Sequence, residues 1–173
     1  MGLVMDALVD FDLKDFKVIS GAQTGSDRAG LIVARNFGFA TGGWIPKGCK
    51  TTDGFEPWLV KEFGLIETEA ANYQVRTELN AKNSDATIRL ALDFTTAGER
   101  LTIRCATKHQ KSVFDVNPFD RRALDRAPEF VRFIRRHRVL TLNVAGNSER
   151  SAPGITEKSI EVLTHFFNEL SKS

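Results

Sequence analysis

The chain has few of the cysteine and histidine residues on which disulfide-rich and metal-binding proteins depend. Its 173 residues include two cysteines, Cys49 and Cys105, which are too few for a disulfide scaffold or a cysteine-rich metal site. The three histidines, His109, His137 and His165, lack the spacing of a metal-binding motif such as H-E-x-x-H. We therefore expect no metal site built by the protein itself, and a reducing, cytoplasmic location.

Long apolar runs and a strong charge imbalance are also missing. No segment approaches the roughly 20 apolar residues of a membrane span, and the acidic first residues do not resemble a signal peptide. The formal net charge of +2 does not demand a nucleic-acid partner. The length suits one core, so we expect an N-terminal arm over residues 1–15 and a single domain over 16–173.

Strand and helix patterns alternate from residue 17 onward. The predicted strands lie at 17–20, 40–44, 86–92, 112–116 and 139–144, and the predicted helices at 26–37, 73–83, 99–109, 128–137 and 155–170. This alternation predicts an α/β fold, a three-layer sandwich with a mostly parallel central sheet. Loops rich in small polar residues contain Gly21, Gly43, Gly98 and Gly146, and we expect them to converge on one crevice at the carboxyl ends of the strands.

The first of these loops has the features of an anion site. It joins an apolar strand to a polar helix start through Gly21, Ala22, Gln23, Thr24, Gly25 and Ser26. A helix N-terminus offers unpaired N–H groups and the positive end of the dipole, and Arg28 could add charged donors. We expect Arg28 to lie on the helix surface, so that removing it leaves the fold intact. The alternative is that the glycines only shape a tight turn.

The loop does not match the two common phosphate fingerprints. It lacks the lysine of G-x-x-x-x-G-K-[ST] and the spacing of G-x-G-x-x-G, so hydrolysis of nucleoside triphosphates is disfavoured.

Two later segments contain further candidate contacts. Lys47 follows Trp44 on a turn, where its ammonium could reach the crevice and the indole could stack on a heterocycle. Asn80 and Asp85 lie where a helix ends and a strand begins, and they could recognise a base or a ribose. The alternatives are a solvent-exposed lysine and side chains that only cap backbone groups.

A basic stretch covers residues 121–138, with seven arginines interleaved with acidic residues. It could contact an anionic partner. A solvated helix face is the simpler interpretation, because no aromatic residues suited to stacking on RNA bases accompany the charges.

Four segments in order resemble the molybdenum-cofactor carrier family of the Rossmann-like, lysine-decarboxylase-like (SLOG) superfamily, to which phosphoribohydrolases also belong. They are ISGAQTGSDR at 19–28, GGWIPKG at 42–48, RTELNAKNSD at 76–85 and LNVAGNSERSAPGI at 142–155. The resemblance covers roughly residues 17–168. It implies a Rossmann-like homo-oligomer, a dimer or tetramer, that binds a phosphorylated ligand, with the molybdenum cofactor or a nucleotide as the candidate.

The chain departs from that family in one loop. Relatives have a small Gly-Thr pair where this chain has Gly98, Glu99 and Arg100. A carboxylate at this helix start would repel a phosphate, so the second anion loop, with Thr96 and Gly98, could be altered. In phosphoribohydrolase-like relatives an arginine and a glutamate cleave an N-glycosidic bond, which makes Glu99 the candidate acid or base.

Three functional hypotheses follow. The first is a non-catalytic carrier for a phosphorylated nucleotide-like or pterin ligand. The second is a nucleotide N-glycosidase acting on nucleoside monophosphates, and the third is a basic interaction module.

Overall fold

Five parallel strands form the central sheet of the structure, a computed structural model that describes residues 12–173. In chain order the strands are β1 (Lys17–Ile19), β2 (Ala40–Gly42), β3 (Trp44–Ile45), β4 (Lys50–Thr51), β5 (Gly54–Phe55), β6 (Ile66–Glu67), β7 (Ala86–Leu90), β8 (Ser112–Val116) and β9 (Thr141–Gly146). The central sheet has the order β2-β1-β9-β7-β8. The predicted α/β class and parallel sheet are confirmed.

Six α-helices connect and cover these strands. They are α1 (Ser26–Asn36), α2 (Trp58–Phe63), α3 (Tyr73–Lys82), α4 (Ala97–Lys108), α5 (Ala127–Arg136) and α6 (Ile155–Lys172). Of the predicted arm, residues 1–11 lie outside the described residues, and a short 3-10 turn forms at Leu13–Asp15.

The strand predicted at 40–44 is divided between β2 and β3, and the segment from there to α3, for which no further element was predicted, contains several short ones. β3 pairs with β6 in parallel, β4 pairs with β5 as an antiparallel hairpin, and α2 lies between them. These strands have two residues each, which is too short for a periodic apolar pattern to reveal them.

The two faces of the sheet differ in polarity. On one face, Ile88, Leu90 and Val144 belong to the main apolar core, where α1, α5 and α6 pack. On the opposite face, next to α3 and α4, the alternating strand positions include Thr87, Arg89 and Asn143, which are also buried. Neighbouring side chains along a strand point to opposite faces of the sheet. The interface of the sheet with α1, α5 and α6 is therefore apolar, whereas its interface with α3 and α4 contains buried polar groups.

The strand order places a switch point at the middle of the sheet. β1 leads outward to β2, β7 leads outward to β8, and β9, the last strand in the chain, lies between β1 and β7. The loops after β1, β7 and β9 therefore meet at one edge, where ligands bind in open α/β sheets.

The end of β9 packs against β7 so closely that Gly146 is required. A Cβ at this position would overlap the carbonyl group of Leu90, to which the backbone N–H of Asn147 donates a hydrogen bond. Gly146 therefore sets the path of the loop after β9.

We expect Gly146→Ala to lower the free energy of unfolding by about 3 kcal/mol or more, because backbone atoms cannot move aside as a side chain can. Gly38→Ala is the matched control: this glycine also has a positive φ, but a Cβ there meets nothing within 4 Å, so the cost should be about 1–2 kcal/mol. Urea denaturation measures both, and equal losses would contradict the close-packing argument.

Candidate functional site

A crevice opens at the carboxyl edge of the sheet, over the switch point. It has a volume of about 370 Å³. Gln23 from the loop after β1 and Asn147 from the loop after β9 form part of its wall. The start of α4, the α3 residues Tyr73, Arg76 and Thr77, and Asp27 of α1 also line it. Of the four loops predicted to converge, those containing Gly21, Gly98 and Gly146 contribute residues to this crevice, and the loop containing Gly43 does not line it.

Part of the backbone of the first loop is engaged within the protein. The N–H of Ala22 donates to Ser20 Oγ, and the N–H of Ser26 donates to the carbonyl of Asn147. Burial raises the pKa of the nearby Asp27 carboxyl, and the backbone of Gln23 is among the groups that oppose this shift. An internal carboxylate thus lies where the sequence predicted a phosphate, and a phosphate at this position would be next to a negative group.

Arg76 of α3 binds the same carboxylate. Its Nη1 lies 2.9 Å from Asp27 Oδ2, and both side chains are at least 85% buried. The guanidinium passes directly over Gly21, where a Cβ would overlap it. Gly21 therefore makes room for an internal ion pair, while Arg76 also lines the crevice.

Arg28 has a structural role that the sequence did not predict. Its guanidinium lies 2.7 Å from Glu56 and also donates to the carbonyl of Ala22. Burial opposes ionisation of Glu56, but hydrogen bonds from Arg28 and Thr51 outweigh it and lower the pKa of this carboxyl. The expectation that Arg28 lies free on the helix surface is wrong, because its side chain joins α1 to the segment that follows the β4–β5 hairpin.

Gly25 and Ser26 hold the first loop against the loop after β9. A Cβ on Gly25 would collide with the backbone of Asn147 and Glu149. The Ser26 hydroxyl donates to the Leu90 carbonyl at 2.7 Å and lies 3.1 Å from Ser159 Oγ. These two residues position the crevice wall by packing.

The N-terminus of α4 remains open to the crevice. Thr96 caps the helix by accepting a hydrogen bond from the N–H of Glu99. Within residues 12–173, the N–H groups of Ala97 and Gly98 have no hydrogen-bond acceptor. By contrast, the N-terminus of α6 is occupied by Glu149, whose carboxylate accepts hydrogen bonds from Gly154 and Thr156. An open helix N-terminus attracts anions.

A buried ionic cluster lies beneath this helix start. Arg89 of β7 makes a two-pronged hydrogen bond with Asp115 at 2.7 and 2.6 Å and donates to the carbonyl of Glu99. The Glu99 carboxylate lies 3.7 Å from Arg89 Nη1, which is beyond hydrogen-bond length. Its Oε2 has no hydrogen-bond partner among the described residues.

Burial therefore dominates the chemistry of Glu99. The residue is 2% exposed, and loss of hydration raises its pKa to about 7, against the opposing effect of Arg89. Burial also raises the pKa of Asp27, although Arg76 opposes the shift. The raised pKa favours the protonated, neutral form of Glu99, which weakens the repulsion of a phosphate that the sequence suggested. It lies below the crevice and does not line it.

Three predicted contacts lie away from the crevice. Asn80 is buried and bonds both the N–H and the carbonyl of Trp44, so it anchors β3 to α3. Asp85 accepts hydrogen bonds from the N–H groups of Leu140 and Thr141, at the opposite edge of the sheet. Lys47 is exposed on the loop after β3. For Asn80 and Asp85 the capping alternative describes the observed geometry.

The arginines of residues 121–138 are partly neutralised on the surface. Arg122 pairs with Asp125, and Arg126 pairs with Glu129. These i,i+3 pairs agree with the interpretation as a solvated helix face.

Sequence reasoning missed Arg76, Asp27 and Tyr73 as parts of the site. Asp27 and Arg76 are 49 positions apart, and no pattern in one sequence links them. The polar strand positions Thr87, Arg89 and Asn143 were a usable signal, because they interrupt otherwise apolar strands.

Within the described residues, no group of three or more His, Cys, Asp or Glu side chains could hold a metal ion. None of the described helices is long and apolar enough to cross a lipid bilayer.

Comparisons with known proteins agree with this architecture. The sequence model of the circularly permutated YpsA SLOG family matches residues 18–167. The crystal structure of a protein from Syntrophus aciditrophicus SB, described as "Putative molybdenum carrier protein", is similar with a TM-score of 0.80 and 31% identity. That alignment covers 87% of this chain and 93% of the other. No curated protein matches the sequence.

We expect the Arg28–Glu56 pair to contribute to stability. Arg28→Met should lower the free energy of unfolding by about 3–5 kcal/mol, because it leaves a largely buried carboxylate without its partner. Replacing both residues, as Arg28→Met with Glu56→Leu, should recover much of the loss. Urea denaturation of the two single variants and the double variant measures the coupling, and additive effects would contradict it.

We expect the free energy of unfolding to fall as pH rises from about 4.5 to above 7. A carboxyl whose pKa is raised in the folded state binds its proton more tightly there, so stability is greatest below the unfolded pKa and decreases as the pH passes the folded one. The shift of Glu99 from 4.5 to about 7 corresponds to about 3 kcal/mol. Glu99→Gln should remove much of this decrease and be more stable than wild type at pH 8.

Chemical denaturation at pH 5, 6, 7 and 8 provides the measurement. Glu161→Gln, a surface change on α6, is the control and should follow the wild-type profile. If Glu99→Gln kept the full decrease with pH, a different group would have to be responsible.

Proposed function

The chain belongs to the circularly permutated YpsA SLOG family, and from that premise we propose that it is a carrier protein for a small phosphorylated ligand of nucleotide or pterin type. The observation that carries the proposal is the open N-terminus of α4 beside Arg76, in a crevice at the switch point of a parallel sheet.

The phosphate belongs at α4 because the two other helix starts at this edge are engaged. The first turn of α1 contains the Asp27 carboxylate, and the first turn of α6 contains the Glu149 carboxylate. The N–H groups of Ala97 and Gly98 are available, and Gly98 leaves open space for a close approach. This proposal moves the anion from the loop of residues 21–26 to the loop with Thr96 and Gly98.

Arg76 supplies the positive charge for this subsite. Its Nη1 is committed to Asp27, while its buried Nε has no partner among the described residues. A guanidinium held in place by a carboxylate loses little side-chain freedom when it meets a phosphate. The Asp27–Arg76 pair thereby pre-organises the donor.

The remaining wall suits the planar part of such a ligand. Tyr73 and Leu101 supply apolar surface on opposite helices, and Thr77 and Thr102 supply hydroxyl groups. A crevice of about 370 Å³ is within the range of small-molecule sites, which are mostly apolar with a few polar groups that fix orientation. A mononucleotide or a phosphorylated pterin therefore matches it in size and chemistry.

The molybdenum cofactor enters this proposal as cargo, since the similar protein from Syntrophus aciditrophicus is named as a molybdenum carrier. In this proposal the phosphate and ring system are recognised by the protein. The metal would be supplied with the cargo, because the described residues offer no cluster of metal ligands.

Several expectations stay predictions. The N-glycosidase alternative would require Glu99 to reach the ligand, although its carboxylate is buried near Arg89. Homo-oligomerisation rests on the family resemblance, and the cytoplasmic location rests on cysteine usage. The single-domain organisation likewise stays a prediction.

Gly98→Ala provides the sharpest test of the phosphate position. The added methyl group meets no protein atom within 4 Å, and alanine favours a helix over glycine by up to about 1 kcal/mol, so thermal stability should hold or increase. The same methyl group would face a phosphate bound at the helix N-terminus, and we expect affinity to fall about tenfold or more.

The measurement is isothermal titration with AMP, GMP, UMP and molybdopterin, together with thermal unfolding. Gly38→Ala, far from the crevice, should bind like wild type. Unchanged affinity in Gly98→Ala would show that the anion lies elsewhere, and no heat from any of the four probes with wild type would count against the function itself.

A further inference from the structure

The carboxyl group of Glu99 lies beneath the proposed phosphate site without forming part of the crevice wall. Glu99 is the third residue of α4, whereas the open N–H groups belong to the first two, Ala97 and Gly98. Successive residues of a helix rise by about 1.5 Å, so the Cα of Glu99 lies within roughly one helical turn of any anion that those N–H groups hold. Glu99 and a phosphate bound there are therefore close neighbours.

The surroundings of Glu99 compensate a negative charge only in part. The residue is 2% exposed, and its Oε2 has no hydrogen-bond partner within residues 12–173. Arg89 Nη1 lies 3.7 Å from this oxygen but donates to the carbonyl of Glu99, and the other two guanidinium nitrogens bind Asp115. A buried charge without full pairing is costly. The geometry therefore favours a carboxyl group that accepts a proton easily.

Charged groups of both signs face Glu99 from the elements packed around it. Arg89 of β7 and Arg76 of α3 favour its ionised form, whereas Asp27 of α1 and Asp115 of β8 favour its neutral form. Each arginine is paired with one of these two carboxylates, so their effects on Glu99 offset each other. Loss of hydration is then the largest influence, and it raises the pKa of Glu99 to about 7.

A phosphate dianion at the start of α4 would add a further negative charge next to this carboxyl group. Two like charges that are shielded from water repel strongly, and the repulsion disappears when the carboxyl group takes up a proton. A bound dianion therefore favours protonated Glu99. By thermodynamic linkage, protonated Glu99 must favour binding of the dianion to the same extent.

We propose that Glu99 couples ligand binding to a proton, so that the phosphate at the start of α4 and one proton on the Glu99 carboxyl group bind together. This inference rests on the proposed function, because it takes the phosphate to lie at Ala97 and Gly98. The proton comes from the solvent when the ligand binds and returns to it when the ligand leaves. The protein consequently holds a phosphorylated ligand more tightly at neutral pH and releases it as the pH rises.

Isothermal titration at pH 7.5, 8 and 8.5 tests this coupling, with the tightest-binding of AMP, GMP, UMP and molybdopterin as the probe. The phosphate monoester of each probe is ionised over this range, because its second pKa is about 6, so its own titration contributes little. We expect the wild-type affinity to fall by up to about tenfold per pH unit. Titrations in HEPES and in Tris, which differ in their heat of ionisation, should show the uptake of close to one proton per ligand at pH 8.

Glu99→Gln isolates the carboxyl group, because the amide is similar in size and takes up no proton in this range. Its affinity should stay constant from pH 7.5 to 8.5, and the proton uptake should vanish. At pH 8.5 this variant should bind the probe about tenfold more tightly than the wild type. Glu161→Gln, an exposed position on α6, is the matched control and should keep the wild-type dependence on pH.

Nuclear magnetic resonance of carbon-13-labelled carboxyl groups gives a direct measurement on the wild-type protein, which does not depend on how a variant folds. We expect the pKa of Glu99 to be higher with the probe bound than without it, by about one unit or more. A value that is the same in both states would overturn the coupling.

The outcomes separate this inference from the proposed function. Binding without proton uptake, or with the same dependence on pH in wild type and Glu99→Gln, would overturn the role of Glu99 and leave the carrier proposal standing. If none of the four probes bound, the proposed function and this inference would both fail.

Discussion

The ion pair between Asp27 and Arg76 is the constraint on which the crevice depends. It joins the first turn of α1 to α3 across Gly21, with little exposure to solvent. Breaking such a pair leaves a buried charge without compensation, which costs about 3–5 kcal/mol. The pair therefore fixes the helix that supplies Tyr73 and Arg76 to the crevice wall, and it directs the guanidinium toward the space above α4.

The same interaction bears on where we propose that the anion binds. The Asp27 carboxylate lies in the first turn of α1, and the Glu149 carboxylate accepts hydrogen bonds at the start of α6. Among the described residues no carboxylate accepts from the N–H groups of Ala97 and Gly98, which is why we propose the start of α4 for the phosphate. A glycine-rich turn can therefore lie next to a bound ligand anion or next to a carboxylate of the protein itself. In this structure the buried carboxylate of Asp27 lies there.

Much of the fold was predictable because it depends on local pattern. The five central strands and the five longer helices were predicted to within a few residues, and the helix predicted to begin at 99 begins at Ala97, after the cap Thr96. Helix α3 is the exception to an apolar pattern, because its buried residues are Thr77, Asn80 and Ala81. The site was harder to predict, because its key contacts join residues far apart in sequence, such as Asp27 with Arg76 and Gln23 with Lys50. Local polarity alone cannot distinguish a side chain that binds a ligand from one that binds a distant backbone group.

The central position of β9 has a consequence for the order in which the chain can fold. Lys17 of β1 pairs with Thr141 of β9, and Ala86 of β7 pairs with Leu142, so the two halves of the sheet have no shared strand until the last quarter of the chain has been made. Before β9 is made, the central sheet offers β1 only β2 as a neighbour and β7 only β8, so the inner edges of β1 and β7 have no partner strand. Such late, long-range pairing slows folding. Until it occurs, two strand edges have unpaired backbone N–H and C=O groups that can pair with other chains.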